Sequence, residues 1–449
     1  MLTYGTGQLD VSTGSSDCID ALKENITQLE NRLEERGIAF SYVQLPIKMT
    51  SDHSLLPAGT YSYADQDADR LLFKLAENLV PVLDLRPLYC DNEDMIGQYF
   101  YRTDHHWNPD GAFLAFRAIS EHIRQTAMQP VDIQYTDADL WQRHILNDWF
   151  LGSHGKRVGR YFAGLDDLVW YTPLFETEMS CSIPHRKEFF RGSFEAANMR
   201  QQYITASNYF SDNPYCVYIG GDYPIVYHRN AAAPNHMRLL IIKDSFMLPL
   251  QAFLSTEFSE VDVLDPRHYT ASGILDYIDW SCPDIVLFAI NPSNLSNSSY
   301  AELGITDMNT SAPDRLSVAS EKRLVIPPGD SRHNYRAIPV TPEEGRIYQV
   351  SVKHAKVIHG DTDAFSMLLF DFANNRIVSH MIFDIPYCEK NEGYVWTFAV
   401  PDSGDKKADY QLLVYAGIHG STSGIGIDFS GIHVSELISG APQSTSETD

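Results

Sequence analysis

The sequence predicts two folds in series, an α/β domain built on a parallel sheet and then an all-β sandwich. Three observations lead there. Up to about residue 320, helical periodicities alternate with short, β-branched, nearly continuous apolar runs, the pattern of a parallel sheet covered on both faces. Beyond residue 337 the runs shorten, convincing helices vanish and Gly, Asp and Asn turns recur, as in a sandwich. The length of 449 residues suits two or three domains at roughly 150 residues each.

Residues 16–37 predict an amphipathic helix, because Ile19, Leu22, Ile26, Leu29 and Leu33 recur at spacings of three and four. Ser16 or Asp17 can cap it and Gly37 stops it. An apolar run, AFSYVQLPI, follows at 39–47, then a helical pattern at 66–79 and a strand in PVLDLRPL at 81–88. Asn108 and Pro109 suit the cap and first turn of a helix running through Phe113, Phe116, Ala118 and Ile119. RLLIIKDSF (238–246), EVDVLD (260–265) and DIVLFAIN (284–291) predict buried strands, separated by helices near 248–257 and 271–279. Residues 128–215, rich in aromatic and polar residues, predict an insertion with loops. Pro327-Pro328-Gly329 marks the boundary, so the α/β domain is expected over 15–322 and the sandwich over 338–440. The sandwich strands are expected within 347–358, 365–373, 394–400, 410–418 and 424–437. In the third, Tyr394, Trp396 and Phe398 share one face. The closing APQSTSETD predicts a disordered tail, and the sequence holds no internal repeat.

Composition narrows the function classes. Hydrophobic residues at 44% and charged residues at 21% describe an ordinary globular chain with a sizeable core. Acidic residues outnumber basic ones 59 to 34, for a formal charge of −25, so phosphate backbones are repelled and no nucleic-acid partner is expected. No apolar run approaches the roughly 20 residues of a membrane span, and the polar start MLTYGTGQLDVSTGSS shows no export signal or anchor. Cys18, Cys90, Cys181, Cys216, Cys282 and Cys388 are scattered without a C-x-x-C pair, too sparse for a disulfide scaffold or zinc ribbon. Most read as small buried side chains.

Familiar catalytic signatures are missing: there is no G-x-S-x-G and no H-E-x-x-H. Gly152–Lys156 (GSHGK) fails as a phosphate loop, because Arg157 stands where a Ser or Thr belongs. Gly424-Ile425-Gly426 lies in the β region, away from any strand-to-helix turn, so no dinucleotide cofactor is expected. Two segments remain. In Thr103-Asp104-His105-His106-Trp107-Asn108, Asp104 and His106 are two apart, so in an extended segment the carboxylate can orient the imidazole. In Leu239–Phe246, a buried strand ends in Asp244-Ser245 ahead of a helix, where open α/β folds place their sites and a helix N-terminus can stabilise an oxyanion. Each has a plainer explanation: Asp-Ser is a common helix cap, and an Asp-His-His-Trp cluster can be a metal fragment or a hydrogen-bonded loop. No third and fourth metal ligand stands at a recognisable spacing, so no metal is expected.

The two segments together resemble the bacterial DHHW family, which is similar to the SGNH-hydrolase-like domain of alginate O-acetyltransferases. Gly220-Gly221-Asp222-Tyr223-Pro224 and Glu260–Tyr269 extend the resemblance, which covers about residues 15–320. It implies a permuted SGNH-like three-layer domain in which Asp and His precede Ser. Carried onto this chain, Ser245 is the nucleophile, His106 the general base and then acid, and Asp104 the group that orients the imidazole. Lys243 stands where Gly is usual. The Ser245 N–H is the expected oxyanion donor with Gly221 a second. Arg267 is a candidate contact to an acyl donor or acidic sugar, or a salt bridge; Trp107 is a candidate sugar-stacking ring, or a wedge into the core. His105 is the rival base, placed second because an extended segment turns it away from Asp104. The resemblance also implies a polysaccharide acceptor, an acyl donor, a membrane-bound acyl-transfer partner and an extracytoplasmic location. A carbohydrate-binding role for the sandwich follows too, with Tyr348, Tyr394, Trp396 and Tyr415 facing either the glycan or, as strand periodicity favours, the core. The reaction expected is O-acetyl transfer or ester hydrolysis on a cell-surface glycan. The rival is an idle glycan-binding or assembly protein, separable by whether Ser245, His106 and Asp104 converge; a metal-dependent hydrolase is a third reading.

Overall fold

The computed structural model describes residues 2–4, 7–9, 15–48, 61–89, 93–205, 208–269, 273–301, 314–330, 333–391, 393–401, 407–420 and 422–438. The expected tail lies outside them, as does Cys90. The chain divides into two compact units, one of Met1–Cys181, Phe190–Tyr269 and Cys282–Leu303, the other of Ser182–Phe189, Thr270–Ser281 and Gly304–Asp449.

The centre of the first unit is a sheet whose strands run, from one edge, Val82–Asp84, Ala39–Gln44, Ile285–Ile290, Asn235–Lys243, Phe258–Leu264 and Ile225–Asn230. The first five pair in parallel. Ile225–Asn230 joins antiparallel to Phe258–Leu264, so the sheet is mixed rather than wholly parallel. Strands Met179–Ile183 and Glu188–Gly192 come from the region, 128–215, expected to be a looped insertion. That region also forms an antiparallel pair, Trp141–Phe150 with Asp166–Pro173. Trp141, Leu168, Val169 and Tyr171 of this pair are buried, without strict alternation along either strand.

Every residue of Ala39–Gln44 and Ile285–Ile290 is buried, which requires a cover on both faces. Helix Ile19–Glu34 packs on Ala64–Glu77, and Pro109–Thr126 on Met247–Glu257. The first buries Ile19, Leu22, Ile26, Leu29 and Leu33, the stripe its spacing predicts. Its start differs from expectation: Cys18 occupies the cap position without a side-chain bond, because the Ser16 hydroxyl accepts the Cys18 N–H while its own N–H goes to Asp67. Asn108 caps Pro109–Thr126 as expected, accepting the Gly111 N–H at 3.0 Å. Met247–Glu257 is buried along its whole length, a helix enclosed by the fold rather than an amphipathic one.

The second unit contains a five-stranded and a four-stranded antiparallel sheet sharing one core. Strand Asp314–Ile326 crosses the expected boundary and pairs with Gly426–Ile438, so Pro327-Pro328 ends a strand of the sandwich. The run 347–358 is two strands, Ile347–Val352 and His354–His359, both paired to Gly426–Ile438. The four aromatics considered for a glycan surface, Tyr348, Tyr394, Trp396 and Tyr415, are buried and belong to the core. Helix Ile274–Ser281 falls within this unit. Of the five described cysteines, only Cys181 and Cys216 are buried, and Cys282 is exposed. Among the described residues no helix is long and apolar enough to cross a membrane.

Candidate active site

The segment expected to be extended is a succession of bends between Tyr101 and Trp107. Its neck is closed by an antiparallel bridge between Phe100 and Trp107, with Tyr101 N–H donating to the His106 carbonyl at 3.2 Å and Asn108 N–H to that of Tyr99 at 2.8 Å. The Asp166 carboxylate accepts the N–H groups of Arg102 and Thr103 and the Thr103 hydroxyl, at 2.9, 2.7 and 2.6 Å. The buried Lys48 ammonium donates to the carbonyls of Arg102 and Asp104 at 2.6 and 3.1 Å. The bent loop is thus braced from both sides before any catalytic group is considered.

Within it, Asp104 is buried, and its Oδ1 lies 2.6 Å from His106 Nδ1 and accepts the His106 N–H at 3.1 Å. Its Oδ2 accepts the Ser153 N–H at 2.6 Å. Burial opposes ionisation of Asp104, yet attraction to the His106 and His105 imidazoles and these hydrogen bonds hold its carboxyl well below the usual range. His106 is in turn clamped, its ring stacked on Tyr215 at 3.8 Å and 14° and tilted against Phe246 at 5.0 Å. The Tyr215 hydroxyl donates to the Ser245 carbonyl at 2.9 Å.

The opposite nitrogen, His106 Nε2, lies 2.8 Å from Ser245 Oγ. Ser245 follows the strand Asn235–Lys243 and precedes the helix Met247–Glu257. Asp244 is buried and binds outward: its Oδ1 accepts the Phe246 N–H at 2.9 Å. Its Oδ2 accepts Asn291 N–H, Asn291 Nδ2 and Asn294 Nδ2 at 2.7, 2.6 and 2.9 Å. The end of one strand is so tied to the end of its neighbour, and the hydroxyl is held at the sheet edge. Among the described residues the N–H groups of Ser245 and Gly221 have no acceptor.

Gly221 follows a strained turn. Ile219, Gly220 and Gly221 have φ of 67°, 99° and 145°, and a β-branched residue at positive φ is an outlier that its surroundings must enforce. The next residue, Asp222, is ion-paired to the fully buried Lys243 and, at 3.1 Å, to Arg267; Asp265 joins both cations, at 3.2 and 2.5 Å. Lys243 thereby fastens the glycine turn to the strand carrying Ser245. Burial works against the charged forms, but the pairing holds the Asp222 and Asp265 carboxyls low.

Arg267 therefore sits in a mostly buried ion network, bonding Asp265 through Nε at 2.9 Å, rather than in a surface salt bridge. Trp107 is completely buried and donates Nε1–H to the Phe246 carbonyl at 2.9 Å; it wedges the loop into the core and offers no face to a sugar. His105 is not turned away: because the segment bends, its Nδ1 lies 3.4 Å from Asp104 Oδ1 and 3.1 Å from Ser153 Oγ. Asp104, His105 and His106 each offer a ligand atom within 4.8 Å of the others. Asp104 Oδ1 and His106 Nδ1 already bond each other, so a cation bound through that pair of atoms would break the link to Ser245.

Sequence reasoning missed Gly152-Ser153, Asp166, Lys48 and Tyr215. The glycines of the rejected GSHGK motif carried a signal. Gly152 N–H donates to Thr103 Oγ1 at 2.8 Å, and a Cβ on Gly152 would lie 2.4 Å from Asp104 Cβ. Only glycine allows that approach.

A sequence model of the family "SGNH hydrolase-like domain, acetyltransferase AlgX" matches residues 4–142. No curated protein matches the chain. Among solved structures, Bacillus cereus PatB1 is 25% identical with a TM-score of 0.57, over 67% of this chain and 98% of that one. The same protein with a sulfonyl adduct is 24% identical, also with a TM-score of 0.57, over 67% and 99%. A DHHW family protein from Eubacterium siraeum is 21% identical with a TM-score of 0.46, over 65% and 90%. The first unit of the chain has the SGNH-hydrolase-like fold, with Asp104 and His106 ahead of Ser245 in the sequence, and it is similar to the domain that the AlgX family model describes.

Proposed function

We propose that the chain is a serine O-acyltransferase, moving an acetyl group from a donor to a hydroxyl of a cell-surface or exported polysaccharide in the cell envelope or outside the cell. The observation that carries this reading is the relay from Asp104 Oδ1 to His106 Nδ1 at 2.6 Å and from His106 Nε2 to Ser245 Oγ at 2.8 Å. These are hydrogen-bond contacts between a nucleophile, a base and the group that orients it.

In the first half-reaction Ser245 Oγ bonds to the acyl carbon as its proton passes to His106 Nε2. In this reading the acceptor-free N–H groups of Ser245 and Gly221 donate to the oxygen of the tetrahedral adduct. The donor's C–O bond then breaks and His106 returns the proton to the leaving oxygen. In the second half, a sugar hydroxyl gives its proton to His106 and bonds to the acyl carbon, and Ser245 leaves with that proton. Asp104 stays ionised throughout and stabilises the imidazolium. Water in place of the sugar makes the same machinery an esterase. The convergence of the three residues supports an active site over an idle glycan-binding shell. An acidic chain drawing on a membrane-bound partner for its acyl donor fits the same reading.

The test is acetate release from a chromogenic acetyl ester, with and without a glycan acceptor, together with mass spectrometry after treatment with a sulfonyl fluoride. Wild type is expected to turn over the ester and to gain one sulfonyl group, and Ser245→Ala to do neither. Equal turnover by Ser245→Ala rejects the serine mechanism.

A further inference from the structure

The segments that hold the catalytic residues also carry aromatic rings that the core does not use. Ser153, whose N–H binds Asp104, opens the short helix Ser153–Val158, and the next helix is Arg160–Ala163. There Tyr161 is 102% exposed and Phe162 66% exposed. The second segment precedes Tyr215, the ring on which His106 stacks, and includes Phe210 at 62% exposed. The two segments touch. The Arg160 guanidinium lies 4.8 Å from the Tyr209 ring centre and 6.0 Å from that of Tyr161, and Lys156 Nζ donates to the Asp212 carbonyl at 2.5 Å. The Phe210 turn is ordered by its own bonds: Asp212 N–H donates to the Asn208 carbonyl, and Asn208 N–H to the Asp212 carboxylate, each at 2.9 Å.

Leaving an aromatic ring in water forgoes about 1.5–3 kcal/mol of burial, and here three rings stand in solvent on two segments that Arg160 and Lys156 join. Rings interleaved with an exposed guanidinium suit a ligand with both apolar C–H faces and polar edges. A pyranose is such a ligand: its axial C–H groups lie on a ring face while its hydroxyls or carboxylate accept from a guanidinium. A lipid surface fits less well, because the chain carries a net charge of −25.

We propose that Tyr161, Phe162 and Phe210, with Arg160, form a stacking platform for sugar rings of the acceptor glycan. The proposal rests on the acyl-transfer reading for its role, but binding itself can be measured without any chemistry. Isothermal titration of the full-length Ser245→Ala protein with chitohexaose and with a hexauronate is expected to show binding of at least one. Adding Tyr161→Ala and Phe162→Ala, or Phe210→Ala, should weaken that binding at least tenfold with an unchanged circular dichroism spectrum. Unchanged affinity in these variants overturns the platform. So does absence of binding to both sugars, or aromatic-dependent binding to phosphatidylglycerol vesicles instead. Loss of the acyl-transfer reading would appear elsewhere, as ester turnover independent of Ser245, and would leave the binding result standing.

Discussion

Replacing Asp104 by Asn probes the relay at its most constrained point. The carboxylate accepts at both oxygens, from His106 Nδ1 and N–H on one side and from Ser153 N–H on the other. An amide has only one acceptor oxygen, so its NH₂ must face one of these donors. Facing His106, it forces Nδ1 to become the acceptor; the proton then sits on Nε2, aimed at Ser245 Oγ, and the base is lost. Facing Ser153, it leaves a buried N–H without a partner. The first outcome costs about 10⁴-fold in kcat, as the same change does in a serine protease triad, or about 5.5 kcal/mol of transition-state stabilisation. The second costs about 1–3 kcal/mol of fold stability. The assay is kcat/KM on a chromogenic acetyl ester paired with urea unfolding. Because the folded Asp104 carboxyl lies below its unfolded value, its stabilisation is complete above that unfolded value, about 4, and fades as pH falls through the folded one. The stability gap between wild type and Asp104→Asn should therefore narrow in acid. A loss of less than tenfold in kcat/KM together with unchanged stability in urea would refute the assigned role of Asp104.

Four further outcomes follow. Gly152→Ala places a methyl 2.4 Å from Asp104 Cβ and 2.5 Å from the Thr103 carbonyl oxygen; it should cost about 1–3 kcal/mol in urea unfolding and lower kcat more than it raises KM. Asp166→Ala strands the N–H groups of Arg102 and Thr103 and should lower both thermal stability and turnover, although it touches no reacting atom. Lys243→Met leaves Asp222 and Asp265 facing each other with only Arg267 between them, and a loss of about 3–5 kcal/mol is expected. Burial pushes the Glu257 carboxyl up to about 7 against the N–H bonds from Tyr135 and Gln134. The folded protein therefore holds a proton that the unfolded chain has lost. Wild-type stability should fall by on the order of 3 kcal/mol from the ordinary glutamate range to pH 7, and Glu257→Gln should remove that decline.

Much of the site was legible because its chemistry is local. Asp104 and His106 lie two residues apart, Asp244 and Ser245 end one apolar run, and Asn108 with Pro109 announces a helix. Less legible was whatever depends on contacts distant in sequence. Asp104 and Ser153 are separated by 49 positions, Thr103 and Asp166 by 63, and His106 and Ser245 by 139; no periodicity encodes such pairs. The expectation that Asp104–Trp107 is extended failed for the same reason, since the bends are set by Lys48 and Asp166. Aromatic rings divided between core and solvent. Trp107 and the sandwich rings are core, while Tyr161 and Phe210, unremarked in the sequence, stand in solvent, because hydrophobicity alone does not say which ring finds a partner.

The sequence by itself determined the two fold classes, the order of helices and apolar strands, and the identity of a serine, an imidazole and a carboxylate worth bringing together. These are properties of periodicity, caps and composition, which act over a few residues. Only the tertiary structure decided that the sheet is mixed, which imidazole nitrogen meets Ser245 Oγ, and that Lys243, Arg267, Asp222 and Asp265 bind one another. Those outcomes depend on how separate segments satisfy buried charges and N–H groups together once water is excluded, and that condition has no expression in any single stretch of the chain.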